Sequence, residues 1–383
     1  MLALRLARGT RPPVLLRRLL VAVASGGVGF LLLCTLGYAM GHPAQSGDSG
    51  LRLLWCLAPL AATVYFAVAV ARTEPGTDPP RAGLSAVGLG PARLAMLAAV
   101  STALSCALGS ALAFLLFLHL RGGLVRLPFD GAAAGLLAAG RPLPSAAVLT
   151  LLSLVPVTAA AASAVALRPR RPKRTGEQPA APLSPAGLPW GVALVAAGLA
   201  VETYASRGAP GAPLPLPGRL DAVPPGVLAG WALTALGLAL AGPGLTHLAG
   251  RLLQCARPGA VRLLAGRVLM DEARRIGRPL GVVCAVASAA IAAATLRDAG
   301  SAPFGPLTGL GAALVTGCTV ATLLMAALEA KHARTATTET LARMGAPAQA
   351  LRTAAALRAT AVLTVFTPVT CALAVLAALP LTS

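Results

Sequence analysis

Nine apolar runs, each near or above the length needed to cross a bilayer, constrain this chain more than any other feature. They are Leu19 to Met40, Leu51 to Ala71, Leu94 to Leu120, Ser145 to Leu167, Leu188 to Ser206, Gly226 to His247, Pro279 to Leu296, Leu307 to Leu328 and Ala354 to Leu379. A helix rises ~1.5 Å per residue, so about 20 residues cover the ~30 Å hydrocarbon core. A single run can satisfy its own backbone in lipid only as a helix. With 56% hydrophobic and 11% charged residues, a soluble domain of this chain could not cover its own surface. The sequence therefore predicts an all-α, polytopic membrane protein with nine spans. The first run follows Arg5, Arg8, Arg11, Arg17 and Arg18. It exceeds the roughly 7–15 residues of a signal-peptide core, which marks it as a retained first helix.

Charge sets the expected orientation. With the N-terminus inside, the inner segments hold 25 Lys and Arg and the outer ones 7. Cytoplasmic loops retain positive charge, so this bias predicts a multi-pass plasma-membrane protein with a cytoplasmic N-terminus and an external C-terminus. The net charge of +20 would suggest nucleic acid in a soluble protein, but aromatics are only 3% and the basic residues flank apolar runs. The expected contact is therefore the bilayer. The densest basic stretch, RPRRPKRTGEQPAAPLSPAG from Arg168 to Gly187, is Pro-rich and reads as a linker. It separates a first module, residues 1–167 with four spans, from a central hairpin of two spans, residues 188–247, and a second module of three, residues 248–383.

Catalytic chemistry is not apparent in the sequence. No H-E-x-x-H, G-x-S-x-G or Cys/His metal pattern occurs, and neither Lys173 nor Lys331 follows the glycines of a phosphate-binding loop. The chain is therefore expected to be neither an enzyme nor an ATPase in its own right, and to carry no cofactor or metal. Cys34, Cys56, Cys106, Cys284, Cys318 and Cys371 fall in apolar runs as small hydrophobes, while Cys255 lies in a polar segment. Ionisable residues inside spans usually signal function. Here Glu202, His247 and His119 lie near span ends and read as interfacial groups reaching water, Glu202 as a hydrated carboxylate without a partner. Small residues such as Gly26, Gly27, Gly29 and Ala159 to Ala162 suit close helix packing in lipid.

One element occurs twice. At Thr337 to Leu373, TTETLARMGAPAQALRTAAALRATAVLTVFTPVTCAL predicts a short amphipathic helix carrying Leu341 and Met344, stopped by Gly345, with a new helix started by Pro347 and entering the last span. At Arg81 to Leu112, Leu84, Val87, Gly88 and Pro91 repeat that order, with Ala82 standing where Glu339 stands in the second copy. The charge count puts both copies in the cytoplasm.

The run from Glu339 to Ala346, together with the basic stretch LLAGRVLMDEARRIG from Leu263 to Gly277, resembles the FtsX-like permease family of ABC transporters, in its long form with two modules. The resemblance implies separate cytoplasmic ATPase subunits, two for the two elements, that pull on coupling helices. Those helices would use Leu84, Val87 and Gly88 in the first copy, and Glu339, Leu341, Arg343, Met344 and Gly345 in the second. It further implies export of a hydrophobic or amphipathic substrate, or force transmission without transport. The second module has three spans where the family usually has four. An ATP-independent transporter or a membrane-embedded enzyme sharing the same hydropathy is the alternative.

Overall fold

The computed structural model describes residues 12–44, 46–73, 91–122, 131–135, 137–168, 187–207, 225–255, 259–298, 306–345 and 347–382. Among these, helices and turns account for all regular structure. Ten helices occur in order: α1 (Pro12–Gly41), α2 (Ser46–Trp55), α3 (Leu57–Arg72), α4 (Pro91–Arg121), α5 (Ser145–Ala166), α6 (Gly187–Arg207), α7 (Pro225–Gln254), α8 (Ala260–Asp298), α9 (Pro306–Arg343) and α10 (Ala348–Thr382). Among the described residues, nine segments are long and apolar enough to span a membrane, as the run lengths predict. Many apolar side chains face outward, for example Met96 at 69% and Leu108 at 65% exposure on α4. In lipid these faces meet acyl chains, so they carry no solvation penalty.

The second span departs from a simple rod. Its N-terminal side lies in α2, which already begins at Ser46, and the helix breaks at Trp55 before resuming as α3. Pro59 explains the break: it has no N–H to give the Trp55 carbonyl, and its ring crowds that same carbonyl. The joint is still bridged, because Cys56 N–H donates to Arg52 O and Leu60 N–H to Cys56 O at 3.1 Å.

Two further expectations need correction. The sequence predicts a short helix of its own before Gly345 and leaves the basic stretch before Pro279 outside its span. Each is instead continuous with its span, giving the 39-residue α8 and the 38-residue α9. In α9 no Gly or Pro lies between Leu328 and Arg343, so nothing ends the hydrogen-bond ladder. In α8, Gly277 is retained inside the helix because α7 comes so close that a methyl there would lie 2.6 Å from Pro243 N.

The chain divides into two compact units at Lys173 and Arg174. Residues up to Cys318 of α9 count with the first unit and those from Thr319 with the second. In the first unit α1 packs on α3, α4 and α5, and α4 packs on α5. Leu33, Cys34, Phe117, Leu137 and Val148 form a buried cluster there. The α1–α4 contact is made by small residues: Ser25 Oγ donates to Cys106 O at 2.8 Å, and Gly26 meets Gly109 backbone to backbone. At the far end of α4 the Arg121 side chain, 8% exposed, donates from Nη2 to Ala138 O at 2.9 Å and to Arg141 O. That fork holds the turns at 131–141 against the helix end and satisfies carbonyls that no helix uses.

The second unit has α7 at its centre, packed on α6, α8 and α10, with α10 also on α6 and α8. Gly230 and Gly237 recur every seventh residue on the face of α7 toward α6, while Gly242 and Gly250 face α8. A helix that is small on two faces can sit between two neighbours at backbone distance.

Candidate functional site

Two places in the second unit carry charge in an arrangement that packing alone would not select. The first is the corner between α9 and α10. Helix α9 ends at Arg343, Met344 N–H still donates to Thr340 O at 3.1 Å, and Gly345 takes φ +89°. That left-handed conformation is the one a terminating glycine supplies without a Cβ clash. Pro347 then contributes its carbonyl to Ala350 N–H at 2.9 Å as α10 starts. The Gly stop and Pro start therefore form as the sequence indicates.

Around this corner, Glu339, Arg343, Met344 and Gly345 are exposed, Met344 at 71%. The side chain of Leu341 lies outside the described residues, as do Leu84, Val87 and Gly88 of the first copy. About two and a half turns before the helix end, Arg334 Nε meets Glu272 Oε1 of α8 at 2.7 Å and also donates to Ala330 O at 2.9 Å. The pair is largely covered, at 13% exposure for Glu272 and 27% for Arg334. Arg358 of α10 and Arg275 of α8 act electrostatically on the same carboxylate. Glu272 thus joins α8 to the polar part of α9 through Arg334, with Arg358 of α10 acting on the same carboxylate electrostatically. Sequence reading did not find this link, because Glu272 and Arg334 are far apart in sequence and appear there as members of two basic runs.

The second place is Glu202 on α6, where the structure overturns the expectation of a hydrated carboxylate. Glu202 is 1% exposed. Trp231 Nε1 on α7 donates to its Oε1 at 2.7 Å, and its buried Oε2 has no protein partner. Gly230 allows the burial: a methyl added there would stand 3.0 Å from Glu202 Cβ and from Glu202 N. One turn along α7, the buried Thr234 Oγ1 also has no protein partner. The missed signal was the facing of Glu202 by Gly230, which only the α6–α7 register reveals. His119 retains a buried Nδ1 at the end of α4, and His247 sits within α7.

Among the described residues no cluster of three or more His, Cys, Asp or Glu side chains could hold a metal. Compared with family models, curated proteins and solved structures, the chain has no significant match.

Proposed function

We propose that this chain is the membrane-spanning permease subunit of an ABC transporter of the FtsX-like kind. Separate cytoplasmic ATPase subunits dock on the α9–α10 corner, and hydrolysis there moves a hydrophobic or amphipathic substrate or transmits force across the membrane. The observation that carries this reading is the continuity of α9. A span that runs unbroken into a polar end, and is tied there to α8 by Glu272 and Arg334, behaves as a lever. Load applied near Met344 would reach the apolar part of the helix without a hinge to absorb it. The exposed Met344 and the neighbouring Glu339 and Arg343 offer an apolar knob with charges at its rim, the composition of a protein contact.

The test is recovery of a co-expressed ABC-type ATPase when the full-length chain is purified from membranes. Leu341→Asp and Met344→Asp each place an unpaired charge in the proposed contact, which typically costs several kcal/mol. Both variants should insert normally and lose the ATPase. Normal recovery with both would remove the corner as a docking site.

A second reading, ATP-independent transport coupled to an ion, draws support from one observation. Glu202 is a buried carboxylate in a membrane span, and such groups mark ion and proton pathways in transporters. Uptake driven by an imposed pH gradient in vesicles that contain this chain and no ATPase would favour it.

A further inference from the structure

We propose that Glu202 is a proton-binding site, and that loss of its proton to the aqueous phase at the 207–225 end loosens the α6–α7 contact. The geometry of the contact carries the argument. Glu202 is 1% exposed, yet only one of its oxygens has a protein partner, the Trp231 indole N–H at 2.7 Å. Among the described side chains, no counter-charge comes from the helices packed around it. On α7, residues 225–246 hold no Lys, Arg, His, Asp or Glu; on α10 the same is true of 359–382, and on α8 of 279–296. On α6 itself the only other charged residue is Arg207, which, with Arg297 and Asp298 of α8, has its side chain outside the described residues. A carboxylate with one neutral donor and no cation is costly to bury, whereas the neutral acid keeps the Trp231 bond and loses the charge.

The surrounding donor groups decide which ligand neutralises the oxygen. A methyl at Gly230 would lie 2.7 Å from Gly198 O, so the two backbones are already in contact beside Glu202. Among the described residues no cluster of three or more His, Cys, Asp or Glu side chains is present to hold a metal cation there. A proton needs none.

Access is short: Ser206, where the span ends, is one turn from Glu202, about 6 Å of rise. Protonation takes one proton from that aqueous phase and converts the carboxylate to the acid, and release returns it. The sign follows from this balance. Low pH at the 207–225 end holds α6 against α7, and high pH favours their separation, whichever energy source drives the chain.

The test uses the full-length protein in lipid vesicles. Infrared difference spectra across a pH titration should show a protonated-carboxyl C=O stretch that is lost as pH rises and is missing from Glu202→Gln. Trp231→Phe removes the donor to that carbonyl and should move the band to higher frequency. Replacing sodium with N-methylglucamine should leave the band unchanged. For the contact itself, a Cys pair at Ala205 and Gly226 reports closure, since a methyl on Gly226 would lie 2.5 Å from Ala205 Cβ. Disulfide formation by this pair should fall severalfold with rising pH, relative to the same pair in Glu202→Gln, which cancels the pH dependence of thiol oxidation. A band that survives in Glu202→Gln, depends on sodium or fails to appear would overturn the proton site. Equal pH profiles for the two cysteine-pair proteins would overturn its control of the contact.

Discussion

At the scale of single residues, the positions that matter most are those where a side chain is missing. Gly109 lets α4 touch α1 at the level of Ala22 and Gly26, and a Cβ there would overlap Ala22 O. Gly109→Val should therefore force the helices apart, at a cost of at least the ~1–3 kcal/mol typical of overpacking. The expected readout is a lower thermal unfolding midpoint in detergent, whereas Gly47→Val, with nothing within 4 Å, should leave the midpoint almost unchanged. Charge shows the converse dependence on neighbours. Glu272→Ala leaves Arg334 facing Arg358 without the carboxylate between them, and should cost roughly 1.5–3 kcal/mol as a charge-assisted bond is lost. Arg334→Ala should cost less, because Arg358 and Arg275 remain to balance Glu272. A double-mutant cycle measured by unfolding would separate the pair's coupling from the effect of the two arginines. The sequence showed the glycines as packing residues but not their partners. Glu202 was misread for the same reason: the α6–α7 register that buries it is a tertiary fact.

At the scale of the element, hydropathy located the spans well and the helix ends poorly. Apolar length depends on local composition, and among the described residues the nine runs correspond to nine segments long and apolar enough to span. Helix ends depend on whether anything stops propagation, which explains the merging of the polar stretches into α8 and α9 and the break that Pro59 makes at Trp55. Gly345 was legible because its φ of +89° is a local requirement. This gives a direct prediction for the lever proposed above. Gly345→Ala replaces the residue best suited to that conformation at a cost of about 1 kcal/mol, so the corner should persist in a less stable form. Two consecutive glycines at Thr335 and Ala336 should instead act below the Glu272 tie, softening α9 between brace and corner. If force passes along α9, the glycine pair should leave ATPase binding intact and reduce the coupling of hydrolysis to transport, while Gly345→Ala alters both only slightly. Equal transport per ATP hydrolysed in wild type and glycine pair would exclude α9 as the lever.

At the scale of the whole molecule, the alternation of helices and the distribution of arginine together determine which ends share a side of the membrane. If all nine candidate segments cross, the two termini lie on opposite sides, and the basic linker at 168–187, following four crossings, shares a side with the N-terminus. On that alternation the basic residues divide 25 to 7, and the positive-inside rule predicts that the richer side is the cytoplasmic one. With that orientation, Arg334, Glu272 and the α9–α10 corner would lie in the cytoplasm, where an ATPase could reach them, and Glu202 beside the external aqueous phase. Both functional proposals therefore depend on one parity. A reporter fused after Ser383 should be active only outside the cell, and one inserted in the linker only inside. The segment most able to break the parity is the second, where Pro59 divides the helix and Arg52 sits at its start with its guanidinium 3.5 Å over the Tyr38 ring. Were α2 and α3 to lie in the interface instead of crossing, every later helix would invert and the linker reporter would be exported. If all nine segments cross with the N-terminus inside, a cysteine at Ser46 should react with a membrane-impermeant maleimide added to whole cells, and a cysteine at Thr73 should not. Labelling of Thr73→Cys from outside would reverse the assigned sides of Glu202 and of the corner together.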